Sequence, residues 1–234
     1  MKNIMLVCIF FAACISLHGQ QADSIINRYI NAIGGKEKLA NIKTLHIESY
    51  ADQGGVKIPF VLNAIDKKAI KQEYTFSGMT GYDIVTDSSG WYYSPFNGMT
   101  QPETKTVEDW KSRLTDLDLQ GPLIDYKAKG YEARFIEKDD VDGVECYVVM
   151  LSLKNSVTKK YYFDPSSYFI LKETTRTEVD GREQVSATIY SNYQKTDAGI
   201  IMPFSQDSFG QITTIEKVVT NGRIDSSIFN HSTK

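Results

Sequence analysis

Cysteine, proline, tryptophan and histidine are all scarce in this sequence. Its 234 residues include 3 Cys, 6 Pro, 2 Trp and 3 His. A basic excess is missing too, since 26 Lys+Arg face 29 Asp+Glu for a net charge of −3. That balance excludes a dedicated nucleic-acid binder. No Gly-x-Ser-x-Gly elbow and no phosphate-cradling glycine loop before a helix occurs. His46 and His231, the histidines beyond residue 19, are not at ligand spacing for zinc. Asp139-Asp140-Val141-Asp142-Gly143 has acidic residues, but an EF-hand register would put Lys138 and Val149 at its first and twelfth positions. It reads as a hairpin turn. Asp116 and Asp118 follow an amphipathic segment and read as a solvated face, not as paired catalytic carboxylates. The chain therefore predicts no enzyme, no metal and no cofactor.

What is present is apolar and aromatic. The composition is 41% hydrophobic, with 14 Tyr and 11 Phe, which excludes a disordered chain and leans towards β-structure. Lys2 followed by the apolar run Ile4 to Leu17 and the exit His18-Gly19-Gln20 reads as a secretory signal peptide over residues 1–19. The run is too short for a membrane span. Removing it takes away one cation and no anion, so the net charge moves from −3 to −4. It also takes away Cys8 and Cys14. Phe11-Ala12-Ala13-Cys14 faintly resembles a lipoprotein box, so an outer-membrane lipoprotein anchored through Cys14 is the lesser alternative to free periplasmic export. Cys146 then remains alone, and one cysteine makes no internal disulfide. It alternates with Val144 and Val148, as a core thiol would.

Residues 20–234 read as a single domain. Asp23 or Ser24 can cap a helix carrying Ile25, Ile26, Tyr29, Ile30 and Ile33 on one stripe, and Gly34-Gly35 stops it. About twelve strand segments follow, divided by Gly54-Gly55, Asp66-Lys67, Gly78 to Gly81, Ser88-Ser89-Gly90, Asp142-Gly143, Asp180-Gly181, Asp197-Ala198-Gly199, Gly210 and Asn221-Gly222. Between Asn97 and Gly130 the pattern changes. Thr106 can cap an amphipathic helix with Trp110, Leu114 and Leu117 inward, and Leu123, Ile124 and Tyr126 suggest a second short helix. So many strands in one sheet curl or close. The expected fold is mainly β (α+β): a curled antiparallel sheet, or unclosed β-barrel, of about eleven or twelve strands, with helices covering its concave face.

The stretch Tyr161-Tyr162-Phe163-Asp164-Pro165-Ser166-Ser167-Tyr168-Phe169-Ile170-Leu171-Lys172, with Tyr193, Gly199 and Pro203 downstream, resembles the LolA/LolB-like outer membrane lipoprotein-sorting family. Ala32-Ile33-Gly34-Gly35-Lys36-Glu37-Lys38-Leu39 is similar to its secreted Bacteroidetes members. The resemblance implies an unclosed barrel with an apolar cavity. It implies a periplasmic carrier for a lipid or an acylated lipoprotein, monomeric and touching a membrane surface only transiently. The cavity candidates are Phe60, Leu62, Tyr74, Phe76, Trp91, Tyr93, Trp110 and Leu114. Met79, between Gly78 and Gly81, would stand in a protruding loop. The family's lid-holding arginine on an early strand has no counterpart, because Thr44 to Ser94 contain no arginine. The alternative function is an accessory or assembly module of the same fold without cargo.

Overall fold

The computed structural model describes residues 19–154, 157–179 and 182–230. Residues 1–18 of the expected 1–19 signal peptide, with Cys8 and Cys14, lie outside the described residues, as do Asp180-Gly181 and His231. Residues 19–32 are helical (α1). After it come α2 (Lys36–Ala40), β1 (Thr44–Gln53), β2 (Val56–Ile65), β3 (Ala69–Phe76), β4 (Met79–Thr86), β5 (Gly90–Tyr93), β6 (Glu103–Thr104) and α3 (Val107–Ser112). The remaining strands are β7 (Glu132–Val141), β8 (Val144–Ser152), β9 (Thr158–Phe163), β10 (Ile170–Val179), β11 (Arg182–Lys195), β12 (Ile201–Ser208) and β13 (Gln211–Thr220).

The protein is mainly β. Thirteen strands form one sheet in the order β6-β5-β4-β3-β2-β1-β13-β12-β11-β10-β9-β8-β7. Strands β1 to β6 pair antiparallel in succession, as do β1 with β13, β13 with β12, and β7 to β11 in succession. The order is linear and does not return on itself, so β6 and β7 are edges. Strand β7 carries Glu132, Arg134, Glu137, Lys138, Asp139 and Asp140, a charged edge that discourages pairing with another chain. The extra strand relative to expectation is β6, two residues whose pattern is too short to read.

The chain divides into two compact units. One holds the described part of Met1–Gly35 with Leu123–Ser191. Here α1 buries Ala22, Ile25, Ile26 and Ile30, with Ile33 buried in the turn after it, and Tyr29 meets Phe163 of β9 edge-on at 5.5 Å. Gly34 (φ 127°) and Gly35 (φ 89°) end the helix, and the Gly35 amide donates to the Ile30 carbonyl at 2.8 Å. Asp23 and Ser24 are not caps, because the helix is already formed at residue 19. The Asp23 carboxylate instead accepts from the Tyr126 hydroxyl and from Lys127 Nζ. Leu123, Ile124 and Tyr126 are buried in successive turns, not in a helix. Asp142 (φ 50°) and Gly143 (φ 84°) make the expected β7–β8 hairpin turn.

The other unit holds Lys36–Pro122 and Asn192–Lys234, as far as described. Its meander runs β5 to β1 and continues through β13 and β12. The expected helix over Trp110, Leu114 and Leu117 is broken. Thr106 does cap α3, its hydroxyl accepting from the Asp109 amide, but the chain leaves the helix at Arg113 and tightens to a 3₁₀ turn over Leu114–Leu117. Arg113 binds Asp83 of β4 and Asp116. Those ties favour a bend over continuation of the helical repeat.

Candidate functional site

Strand alternation sorts the second unit's side chains onto two faces. Phe60 pairs with Tyr74, Leu62 with Gln72, Tyr74 with Gly81 and Phe76 with Met79. These residues share one face with Ala64, Ile70, Asp83 and Val85. Tyr82 pairs with Tyr93 and Ile84 with Trp91, so Trp91 and Tyr93 lie on the opposite face. The candidates named from sequence are thus divided in two: five strand positions with Met79 among them on one side, two on the other.

The first face has a covered half and an open half. Ala64, Val85 and Leu117 are buried where the 105–117 segment crosses it. That segment is tied down by Lys105 Nζ at 2.5 Å from Asp83 and by Arg113 on the same carboxylate. Burial alone would lower the Arg113 pKa, but Asp83 and Asp116 outweigh it and hold it above its usual value. Trp110 is half-buried and sits against Gly90, where an added Cβ would lie 2.9 Å from Trp110 Cβ. Leu114, at the end of the segment, is exposed.

Beyond the segment the same face stays open. Phe60, Leu62 and Tyr74 are half-buried, and Phe76 and Met79 are exposed. The rings form a chain, with Phe60 to Tyr74 at 6.3 Å, Tyr74 to Phe96 at 5.5 Å and Phe76 to Phe96 at 6.2 Å. Gly81 makes room for it, since a Cβ there would meet Tyr74 Cζ at 2.6 Å. Phe96 follows Ser94-Pro95 in a 3₁₀ turn, outside any strand or helix period, so sequence patterning did not single it out. The expected Gly78–Gly81 loop is a tight turn at Ser77-Gly78, and Met79 opens β4.

The opposite face mixes apolar and polar groups. Ala69, Ile84 and Phe229 form its buried centre, with Tyr82, Trp91, Ile224 and Ile228 against them. Tyr82 and Tyr93 stand 5.7 Å apart. Beside this lies a groove of about 500 Å³ lined in part by His46, Asn63, Glu73 and Arg223. The His46 ring nitrogens face Asn63 Oδ1 at 2.8 Å and Glu48 Oε1 at 3.0 Å, and Lys217 holds Glu48 at 2.7 Å. Lys71 and Glu73 pair at 3.0 Å. Both carboxylates named here, Glu48 and Glu73, are thus paired with lysines.

The first unit has its own polar centre within its core. Lys159 Nζ lies 2.5 Å from Glu173 Oε1, and the Thr175 hydroxyl donates to the same oxygen at 3.1 Å. Tyr29, Tyr161 and Tyr190 surround it. Burial first and the Glu173 charge second push all three phenols upward, so they stay protonated. Among the described residues, no three His, Cys, Asp or Glu side chains gather as a metal site. Also among them, no helix is long and apolar enough to cross a membrane.

No family model and no curated protein sequence matches the chain. Solved structures do match its fold. A LolA superfamily protein from Nitrosomonas europaea superposes with a TM-score of 0.50 at 15% identity, over 89% of this chain and 97% of the other. A domain assigned to the outer membrane lipoprotein-sorting proteins, from Vibrio parahaemolyticus, gives 0.51 at 10% identity, over 83% and 93%. A DUF1329 family protein from Desulfovibrio piger gives 0.50 at 13% identity, over 90% and 97%. The chain therefore has a LolA-like fold. The motif from Tyr161 to Lys172 falls on β9, an Asp-Pro turn and β10.

Proposed function

We propose that the protein is a non-enzymatic periplasmic carrier that holds a lipid, or the acyl chains of a lipoprotein, against the open apolar face of β2–β4. The observation that carries this reading is the unfinished cover. Phe60, Leu62, Tyr74, Phe76 and Phe96 continue the apolar strip past the 105–117 segment, where no chain among the described residues closes over the exposed Phe76. Each methylene withdrawn from water onto such a surface is worth about 0.8 kcal/mol, so a long acyl chain can be held by apolar contact alone. Export by the 1–19 leader, monomeric action and one domain over 20–234 belong to the same proposal.

Solvent extraction of the purified protein followed by mass spectrometry tests it, together with uptake of a fluorescent fatty acid. Bound lipid or saturable uptake, weakened by Tyr74→Ser and unaffected by Tyr93→Ser on the other face, supports the carrier. No lipid and no uptake overturns it. A cargo-free accessory module is the second reading, favoured by Trp110 resting directly on Gly90. It expects neither extractable lipid nor uptake.

A further inference from the structure

Three hairpin tips of the second unit lie at one end of the sheet. They join β1 to β2, β3 to β4, and β12 to β13, and these strands are neighbours in the order β4-β3-β2-β1-β13-β12. At about 4.8 Å between strands, the row is roughly 24 Å long. Each tip exposes apolar side chains: Val56 on the first, Phe76 and Met79 on the second, Phe209 and Ile212 on the third.

Phe209 is the most anomalous of these. It is 83% exposed, and its φ is 57° in a turn whose next residue, Gly210, has φ 79°. Ser208 pairs with Gln211, so Phe209-Gly210 is a two-residue hairpin loop with positive φ throughout. Such loops favour Asn, Asp or Gly at the first position. Neither burial nor backbone preference accounts for a phenyl ring there, and a ligand-facing role does.

The placement says what the partner is. Val56, Phe76 and Met79 belong to the face that carries Phe60. Ile212 pairs with Asp207, next to Thr213 that faces Ala51, and so points to the other side. A rim apolar on both sides suits end-on entry into a fluid layer, whereas a folded protein partner would contact one side. The charge pattern agrees. Asp52 and Asp207 accept from the amides of Gly55 and Gly210, and Lys57 lies over Tyr50 and near Glu216. Among the described residues of these three tips, the one cation, Lys57, is thus already engaged and leaves nothing to seek an anionic surface. A neutral, zwitterionic lipid surface is the complement.

We propose that this rim, led by Phe209, inserts into neutral lipid bilayers, a role separate from holding cargo. Flotation with phosphatidylcholine vesicles tests it. The parent protein is expected to float with vesicles, equally at low and high salt and with no gain from anionic lipid. Phe209→Asn creates a favoured turn sequence, so it should fold at least as stably yet bind vesicles about tenfold more weakly or worse. Val56→Ser combined with Ile212→Thr should weaken binding further. Fatty-acid uptake by Phe209→Asn should match the parent, which separates this test from the carrier reading. Vesicle binding unchanged in Phe209→Asn, or no binding by the parent, overturns the proposal. So does concentration-dependent dimerisation abolished by Phe209→Asn, which would make a second copy the occupant.

Discussion

Tyr161 shows how one side chain can be traced from sequence to a measurable cost. It lies on β9, on the face that meets α1 through Phe163 and Tyr29. Its ring is 3% exposed and its buried hydroxyl has no hydrogen-bond partner. A buried hydroxyl without a partner costs about 1–3 kcal/mol. Tyr161→Phe keeps the ring and removes the unsatisfied oxygen. It is expected to stabilise the protein by about 1 kcal/mol, read as a higher urea midpoint with unchanged slope. An equal or lower midpoint would mean that the hydroxyl has found a partner. The tyrosine-rich sequence Tyr161-Tyr162 announced a β-strand. It did not say which of the two hydroxyls would be stranded, since that depends on what α1 brings over the sheet.

At the scale of elements, small residues decide how closely neighbours approach. Gly81 on β4 faces Tyr74 on β3. A methyl group there would meet that ring at 2.6 Å. Gly81→Ala should therefore cost about 1–3 kcal/mol through overpacking and, by moving Tyr74 off Phe96, lower fatty-acid uptake. Calorimetry and the uptake assay on the same variant check both effects. Helix α1 is held in a different way. Burial raises the Asp23 pKa, but the hydrogen bonds from Lys127 and Tyr126 outweigh it and hold the carboxylate below its ordinary 3.8. A lowered folded-state value means that this stabilisation is present above pH 3.8 and lost as the pH falls through the folded value. Asp23→Asn should be less stable than the parent near neutrality, and the two should converge in acid below pH 3.8. A gap of constant size down the pH scale would refute the tether. Sequence patterning read Asp23 as a helix cap. It had no access to Tyr126 and Lys127, which are about a hundred residues away along the chain.

For the whole molecule, stability rests on apolar burial. Cys146 is the free cysteine among the described residues, fully buried on β8 beside Val148 and Tyr162. Burial foremost, with the nearby Asp164, Asp140 and Asp139 charges, pushes its thiol up to about 11. It should resist iodoacetamide at pH 8 in the folded state and react once the chain is unfolded, because the thiolate is the reactive form. The thermal midpoint of the chain from residue 20 onward should be the same with and without reductant. A drop on reduction would reveal a disulfide and contradict a core held by burial alone.

Local chemistry was enough to write down much of this protein. The glycine stop at Gly34-Gly35, the Asp142-Gly143 hairpin, the strand periods and the resemblance around Tyr161 to Lys172 are set by residues within a few positions of one another. Each survives in the fold for that reason. The helix over Trp110, Leu114 and Leu117 did not, since Arg113 answers to Asp83 on a distant strand. The apolar candidates followed the same division. Their identity as strand residues was local, whereas their separation into a Phe60–Tyr74 face and a Trp91–Tyr93 face came from register between strands. Phe96 and the row of hairpin tips became visible only when the meander placed them side by side. Side-chain type and turn chemistry are properties of the chain. Which apolar groups share a surface, and which are left uncovered, is settled by pairing across the sheet, where one residue of register moves a side chain to the other face.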